Sequence, residues 1–312
     1  MRQGDVMQGT ITIVGLGLIG GSLAFALQQA APVRVVGLDR DPQVVMQALK
    51  RHAIDAVSTA ALLEETDLLV LCLPPRAAAA VLAELAPGLR SGTIVTDMCG
   101  VKRSVMQACV PICREHGLHF IGAHPMAGKE KNGFAQADAA LFHGASFILT
   151  PQEDTPEEVI AVMHRFAKCI GCTRLTVTTP EEHDRMIAFT SQLPHVLAGC
   201  YVQSPCAARH EGFSAGSYRD VSRVATVDDA LWSELFSENS DLLGNELEQL
   251  IARLEEFRRA VEMKDEAHMA RMIREGRLCK QRADGQPTVR VLDDGGERYG
   301  SDSDPRPHGT TV

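Results

Sequence analysis

The sequence predicts an α/β fold: a doubly wound parallel sheet first, then an all-helical domain. Three observations predict it. Short apolar runs alternate with helical patterns through residue 179, a glycine turn follows the first run directly, and from Glu181 the apolar period becomes that of helices.

In order, "TITIVGLGLIGGSLAFALQQA" reads as a buried strand, a turn and a helix. "VRVVGLDRD" is a second strand, "LLVLCLPP" a third, "TIVTD" a fourth and "HFIGAHP" a fifth. "DPQVVMQALKRH" and "RAAAAVLAELAPGL" are helices between them. Strands this apolar, spaced by helices of this length, form a parallel sheet covered on both faces. "SFILT" and "RLTVTT" are further strands flanking the helix "TPEEVIAVMHRFAKCIG".

Beyond Thr179, "EEHDRMIAFTSQLPHVLAGCYVQ", the long stretch from Asp228 to Lys264 and "DEAHMARMIREGRLCKQ" carry apolar residues three and four apart. An amphipathic helical segment this long cannot bury its own face, so a homodimer is expected. The expected domains are residues 1–179 for dinucleotide binding and 180–282 for substrate and dimer contacts. Residues 283–312, rich in Gly, Pro and Asp, are expected to be a disordered tail, with "TVRVLDD" as the one segment able to form a short strand.

Composition narrows the function classes. A net charge of -9 argues against nucleic acid or an anionic membrane as general partner, while leaving room for an anionic substrate held by local arginines. No apolar run reaches the ~18 residues of a membrane span. The start "MRQGDVMQGT" has no apolar signal region. The nine cysteines fall largely in apolar segments, as suits a reducing cytoplasm, the expected location. The Cys169-x-x-Cys172 pair, and Cys109 with Cys113, lack a second pair at zinc-site spacing, so a packing role is preferred and no metal is expected.

Gly15-x-Gly17-x-x-Gly20 sits between strand and helix, the arrangement of a Rossmann dinucleotide turn. Gly15 allows the turn, Gly17 the approach of a pyrophosphate, and Gly20 close helix packing, with Leu18 and Ile19 opening the helix whose N–H groups face the phosphates. Asp39 ends the second strand about twenty residues on, where a carboxylate holds ribose hydroxyls. That favours NAD over NADP; neighbouring Arg40 is the one feature that would favour the extra phosphate. Leu73 and Pro74 after the third strand, and Asp97 at the end of the fourth, are expected to border the cofactor crevice.

"GAHPMAGKEKNGF" leaves the fifth strand at the carboxyl edge, where ligands bind in such sheets. With that strand ending near Gly122, His124 is expected just past it, close to the nicotinamide, where a neutral imidazole takes the proton of a substrate hydroxyl. "TDMCGVK" adds Thr96, Cys99 and Lys102, and "TSQLPHVLA" a second histidine, His195. Arg219 and Arg223, four apart, are expected to share one helical face and grip a carboxylate.

These segments, with "EEHDRMIAFTSQLPHVLA" and "GSYRDVSRVA" in that order, resemble the prephenate/arogenate dehydrogenase family of tyrosine biosynthesis over roughly residues 10 to 282. The resemblance implies oxidative decarboxylation of prephenate to 4-hydroxyphenylpyruvate, or of arogenate to tyrosine. It implies that His124 polarises or deprotonates the ring hydroxyl, and that His195 lines the active site. Arg223 binds a substrate carboxylate by the same resemblance, with Arg219 beside it; Lys129 and Glu130 are expected at the substrate too, Glu130 as a gating or ordering acid, and Trp232 belongs to a helical W-x-x-x-F element. Two departures stand out. Cys99-Gly100 replaces the family's Gly-Ser, removing a hydroxyl that Cys99, Thr96 or a water would have to replace, and Gln192 stands where many members have histidine. A lysine-dependent hydroxyacid dehydrogenase of like architecture and a dinucleotide-sensing binding protein are the competing readings.

Overall fold

A computed structural model describes residues 7–129 and 131–285. β1 (Gly9–Val14) leads into α1 (Leu18–Ala30), β2 (Val33–Leu38) and α2 (Pro42–Lys50). A short β3 (Ala56–Val57) and α3 (Ala60–Glu64) precede β4 (Leu68–Leu71), α4 (Pro75–Leu85) and β5 (Ile94–Asp97). Then come α5 (Arg103–Glu115), β6 (His119–Pro125), β7 (Ser146–Thr150), α6 (Glu157–Cys169) and β8 (Arg174–Val177).

The eight strands form one sheet in the order β3-β2-β1-β4-β5-β6-β7-β8. Chain direction across the sheet reverses between β1 and β4, which creates a crevice at their carboxyl ends. Apolar side chains cover both faces: Ile13, Leu23, Leu27 and Phe166 pack on one, and Val14, Leu71, Leu82 and Val105 on the other.

The sheet differs from the expected one in two ways. β7 runs antiparallel to β6, with His124 opposite Ile148. No α-helix lies between these strands among the described residues, only a 3₁₀ turn at Phe134–Gln136, and a chain without a crossover helix returns beside the strand it left. β3 and α3 were not expected, since two residues and one helical turn are too short for any apolar period to register.

The helical half runs through α7 (Pro180–Ile187), a π turn at Ala188–Gln192, and α8 (Leu193–Tyr201). α9 (Gly216–Ser222), α10 (Asp229–Glu238), α11 (Ser240–Glu262) and α12 (Glu266–Gly285) follow. α12 thus continues to Gly285 where a tail was expected from Ala283; the rest of that tail, "TVRVLDD" included, lies outside the described residues, as does Glu130.

Two buried polar clusters hold this architecture together. In the first, Lys102 and Asp97 are both 0% exposed and form an ion pair, and the Lys102 ammonium also donates to the Ala123 carbonyl at 2.8 Å. Asp97 in turn accepts from Cys99 N at 2.9 Å and Ala123 N at 3.3 Å, so the pair clamps the carboxyl ends of β5 and β6 together. In the second, Asp184 of α7 accepts from the backbone N–H groups of Lys102 and Arg103 at 2.7 and 2.9 Å, capping the start of α5 from the helical half. Asn239 reinforces that junction: its amide donates to Asp184 O at 2.9 Å and Gln192 Oε1 at 2.8 Å, and it accepts from Arg103.

Removing the cation from the first cluster leaves a carboxylate buried without its countercharge. Lys102→Met is expected to lower unfolding free energy by about 3–5 kcal/mol, and Lys102→Met with Asp97→Asn to regain part of it. Urea unfolding of the three proteins checks this; an unchanged midpoint for Lys102→Met would show that the pair does not hold the strand ends.

Candidate active site

At the crevice, Gly15 has φ +88, and a Cβ built there would lie 2.5 Å from the Cys72 carbonyl, so the turn requires glycine. A Cβ on Gly20 would sit 1.9 Å from Gly15 O, which explains how α1 packs so close to the turn. Gly17 has no atom within 4 Å of its Cβ position, leaving open space over the start of α1, and the first turn of that helix carries no acidic residue. Such a surface suits a diphosphate. The Leu18 side chain is buried, so Leu18 can offer only its backbone, whereas Ile19 is half-buried.

Asp39 follows β2, and its carboxylate accepts from Leu16 N at 2.7 Å and Asp41 N at 2.9 Å. It therefore braces the glycine turn, a duty not visible in the sequence, and remains half-buried at the end of β2. Arg40 is exposed beside it. Leu73, whose side chain lies 2.9 Å from the Gly15 Cβ position, and exposed Pro74 border the crevice from β4. Asp97 does not border it: the carboxylate is wholly buried and committed to Lys102, Cys99 and Ala123.

Between sheet and helices lies a cleft of about 580 Å³ lined by His124, Lys129, Gln192, His195, Arg223 and Trp232, among others. His124 belongs to β6 instead of lying past its end, because β7 extends the ladder to Pro125 and holds the histidine at a sheet position. Its Nδ1 lies 2.9 Å from His183 Nε2, and His183 Nδ1 lies 2.7 Å from Asp184 Oδ1. Burial, then the neighbouring His183 and Lys102, hold the His124 pKa well below the usual histidine value. Burial likewise lowers His183, against the opposing pull of Asp184.

His195 comes from the opposite wall. Leu193 N bonds to Ala188 O, five residues back, and this π turn precedes Pro194, which has no N–H to continue the ladder. The imidazole Nδ1–H of His195 donates to Ser191 O at 2.7 Å, and the ring stacks on Trp232 with centroids 3.7 Å apart. Trp232 packs in turn on Phe236. Burial lowers the His195 pKa, and Arg223 contributes in the same direction against the Ser191 bond.

Arg223 lines the cleft; Arg219 is exposed and is not part of its lining. The expected common face is lost because α9 ends at Ser222 and the chain tightens into a 3₁₀ turn at Arg223–Ala225, which changes the angular spacing. Lys129 lines the cleft while pairing with Asp138 at 3.1 Å, and Asn132 bonds to Asp228 at 3.2 Å, so the loop after β6 is tied to the start of α10.

Of the three substitutes named for the missing serine hydroxyl, the two side chains donate elsewhere. The Cys99 thiol donates to Leu73 O at 3.2 Å, and the Thr96 hydroxyl to Ile121 O at 2.8 Å. Gly100 lines the cleft itself. Gln192 is committed to Leu235 O and Asn239. The sequence reading missed His183 and Asp184 as site residues; the adjacent His-Asp pair in "EEHDRMIA" was the available signal. Cys109, Cys113, Cys169 and Cys172 are free thiols, and burial pushes Cys109, Cys113 and Cys172 up to about 12, which suits packing. No described helix is long and apolar enough to cross a membrane.

Residues 23–175 match the family described as prephenate dehydrogenase, nucleotide-binding domain, and residues 179–275 match prephenate dehydrogenase, dimerization domain. Prephenate dehydrogenase of Bacillus subtilis is 30% identical over 290 residues, covering 90% of this chain and 77% of the relative. Cyclohexadienyl dehydrogenase of Zymomonas mobilis is 33% identical over 281 residues, 86% of this chain and 94% of the relative. Among solved structures, prephenate dehydrogenase from A. aeolicus in complex with hydroxyphenyl propionate and NAD+ is similar with a TM-score of 0.78 and 26% identity, over 89% of this chain and 99% of that one. Matched over both domains in that order, and by a relative of 30% identity across 90% of its length, the chain belongs to the prephenate dehydrogenase family.

Proposed function

We propose that the chain is a homodimeric, NAD-dependent dehydrogenase that converts prephenate to 4-hydroxyphenylpyruvate with loss of carbon dioxide. The observation that carries this reading is His124 at the carboxyl end of β6, on the wall of a cleft that also contains Arg223 and His195. NAD, when bound, accepts the hydride. Gly15, Gly17 and Gly20 would form its cradle, the start of α1 would take its diphosphate, and Asp39 would hold its ribose hydroxyls. The A. aeolicus relative with NAD+ bound supports this choice of cofactor.

His124, neutral because its pKa is depressed, takes the proton of the ring hydroxyl as hydride leaves the carbon bearing it. That carbon becomes a carbonyl. The ring carboxylate then departs as carbon dioxide, its bonding electrons pass through the ring to the carbonyl oxygen, and that oxygen takes back the proton held by His124 to give the phenol. Arg223 anchors a substrate carboxylate by charge and fork geometry. His195, pinned by Ser191 and Trp232, presents its other nitrogen to the cleft as a polar wall. The aromatic product supplies the driving force, so positioning and one base suffice.

The alternative substrate is arogenate, which carries an amino group where prephenate has a keto group. The Zymomonas relative's name, cyclohexadienyl dehydrogenase, fits either ring acid and keeps this reading open. Initial rates with both substrates, each with NAD and NADP, separate the possibilities. NAD is expected to give the higher kcat/KM, and Asp39→Ala to narrow the gap while lowering both values, because the glycine turn loses its brace. A wild-type preference for NADP would overturn the cofactor assignment.

His124→Asn is expected to lower kcat by roughly 10² to 10⁴ with a much smaller change in KM, while Arg223→Ala raises KM strongly. In wild type, kcat/KM is expected to climb as His124 of the free enzyme loses its proton, and burial places that limb below the usual histidine value of about 6.5. Near-wild-type turnover in His124→Asn would transfer the base role to His195.

α11 and α12 expose Ile251, Leu254, Val261, Ile273 and Leu278, an apolar surface that supports assembly through residues 181–280. Sedimentation equilibrium is expected to give a dimer; a monomer at every concentration would contradict it.

A further inference from the structure

We propose that His183 and Asp184 are positioning residues that fix the tautomer of His124, keeping the proton on its Nδ1 and leaving its Nε2 as the acceptor for the cleft. The inference rests on the reading of His124 as the base, and it deepens that reading by identifying what makes the correct nitrogen basic.

It follows from donor and acceptor chemistry along the chain of contacts. Asp184 receives N–H donors from Lys102, Arg103 and His183, and a carboxylate receiving so many donors is ionised and can only accept. Burial pulls its pKa up, but the bonds from His183 and from the backbone of Arg103 and Lys102 outweigh this and leave it depressed. His183 Nδ1 must therefore carry a proton. Burial keeps His183 neutral, so its Nε2 is a lone pair. His124 Nδ1, 2.9 Å away, must then be the donor. A neutral His124 with its proton on Nδ1 has an unprotonated Nε2. When His124 takes the substrate proton there, Nδ1–H continues to donate to His183, so the contact survives the reaction step unchanged.

The family's serine hydroxyl is replaced here by Gly100, and the Cys99 thiol and Thr96 hydroxyl are both turned to carbonyls elsewhere. The orientation of the His124 ring is thus set from the helical half, through α7. His183 is 2% exposed and Asp184 is fully buried, so water does not compete for these bonds.

The test uses the full chain labelled with ¹⁵N in its histidines. Long-range ¹H–¹⁵N correlation spectra, recorded above the histidine titration range, report which ring nitrogen carries the proton. Signals are assigned by their loss in His124→Asn and His183→Gln. Wild-type His124 is expected to be protonated at Nδ1 and bare at Nε2. In Asp184→Asn the neutral amide no longer compels His183 Nδ1 to carry the proton, and His124 is expected to shift toward the tautomer protonated at Nε2. The kcat then falls by roughly 10² to 10⁴ while KM changes little.

Because Asp184 also caps α5, that variant can fail to fold, so a second pair decides independently. In His183→Gln the side-chain oxygen accepts from His124 Nδ1–H, retaining the tautomer and at least about tenfold more kcat than His183→Leu. A wild-type His124 protonated at Nε2 overturns the proposal, as does a His183→Leu enzyme equal in kcat to His183→Gln. The tautomer is read without turnover. An inert His124→Asn substitution would therefore remove the base reading while leaving the tautomer result to stand or fall separately.

Discussion

Four N–H donors converge on the buried carboxylate of Asp184: the backbones of Lys102 and Arg103, the Arg103 side chain and the His183 ring. A carboxylate taken out of water is costly unless its lone pairs are filled, so this constraint orders everything around it. It fixes where α5 begins, and through Lys102 it connects to the clamp on the ends of β5 and β6. It fixes how α7 meets the sheet, with Asn239 and Arg103 bringing in α11 through Asp241. The same carboxylate orients His183 against His124. Stability at the junction of the two halves and geometry at the base are thus one requirement on one side chain.

The division of labour across the cleft follows from which elements are rigid. His124 sits in β6 two residues past the last pair with β5 at Gly122, and is itself held in the ladder by β7, opposite Ile148. The opposing wall is built from a helix interrupted by a π turn, where Pro194 breaks the regular ladder and the Ser191 carbonyl accepts from the His195 ring. The proposed base, His124, and the proposed carboxylate anchor, Arg223, therefore come from different halves of the molecule, the sheet and the turn after α9, on the walls of one cleft.

Much of this was legible in the sequence for definite reasons. Strands buried on both faces read as unbroken apolar runs, so β1, β2, β4, β5 and β6 stand out, and the glycine spacing encodes backbone contacts that no other residue permits. His124 could be found because it follows such a run directly. The direction of β7 could not, since its strand pattern is the same whichever way it pairs. Arg219 and Arg223 at helical spacing implied a shared face, but spacing does not reveal that the helix ends between them. Asp97 read as a crevice residue because it ends the fourth strand; its partner Lys102 lies five residues on, and nothing local marks either as buried. His183 and Asp184 look like the polar face of an amphipathic helix until the sheet is docked against it.

The central claim is that His124 Nε2, held in place through His183 and Asp184, is the atom that receives the substrate proton. A crystal structure of the full chain with NAD and hydroxyphenyl propionate, the ligand pair seen in the A. aeolicus relative, tests it most directly. The ring hydroxyl is expected about 3 Å or less from His124 Nε2, with His124 Nδ1 still on His183 and the ligand carboxylate toward the helical wall that carries Arg223. A hydroxyl bonded instead to His195, with His124 turned away from the ligand, would contradict it.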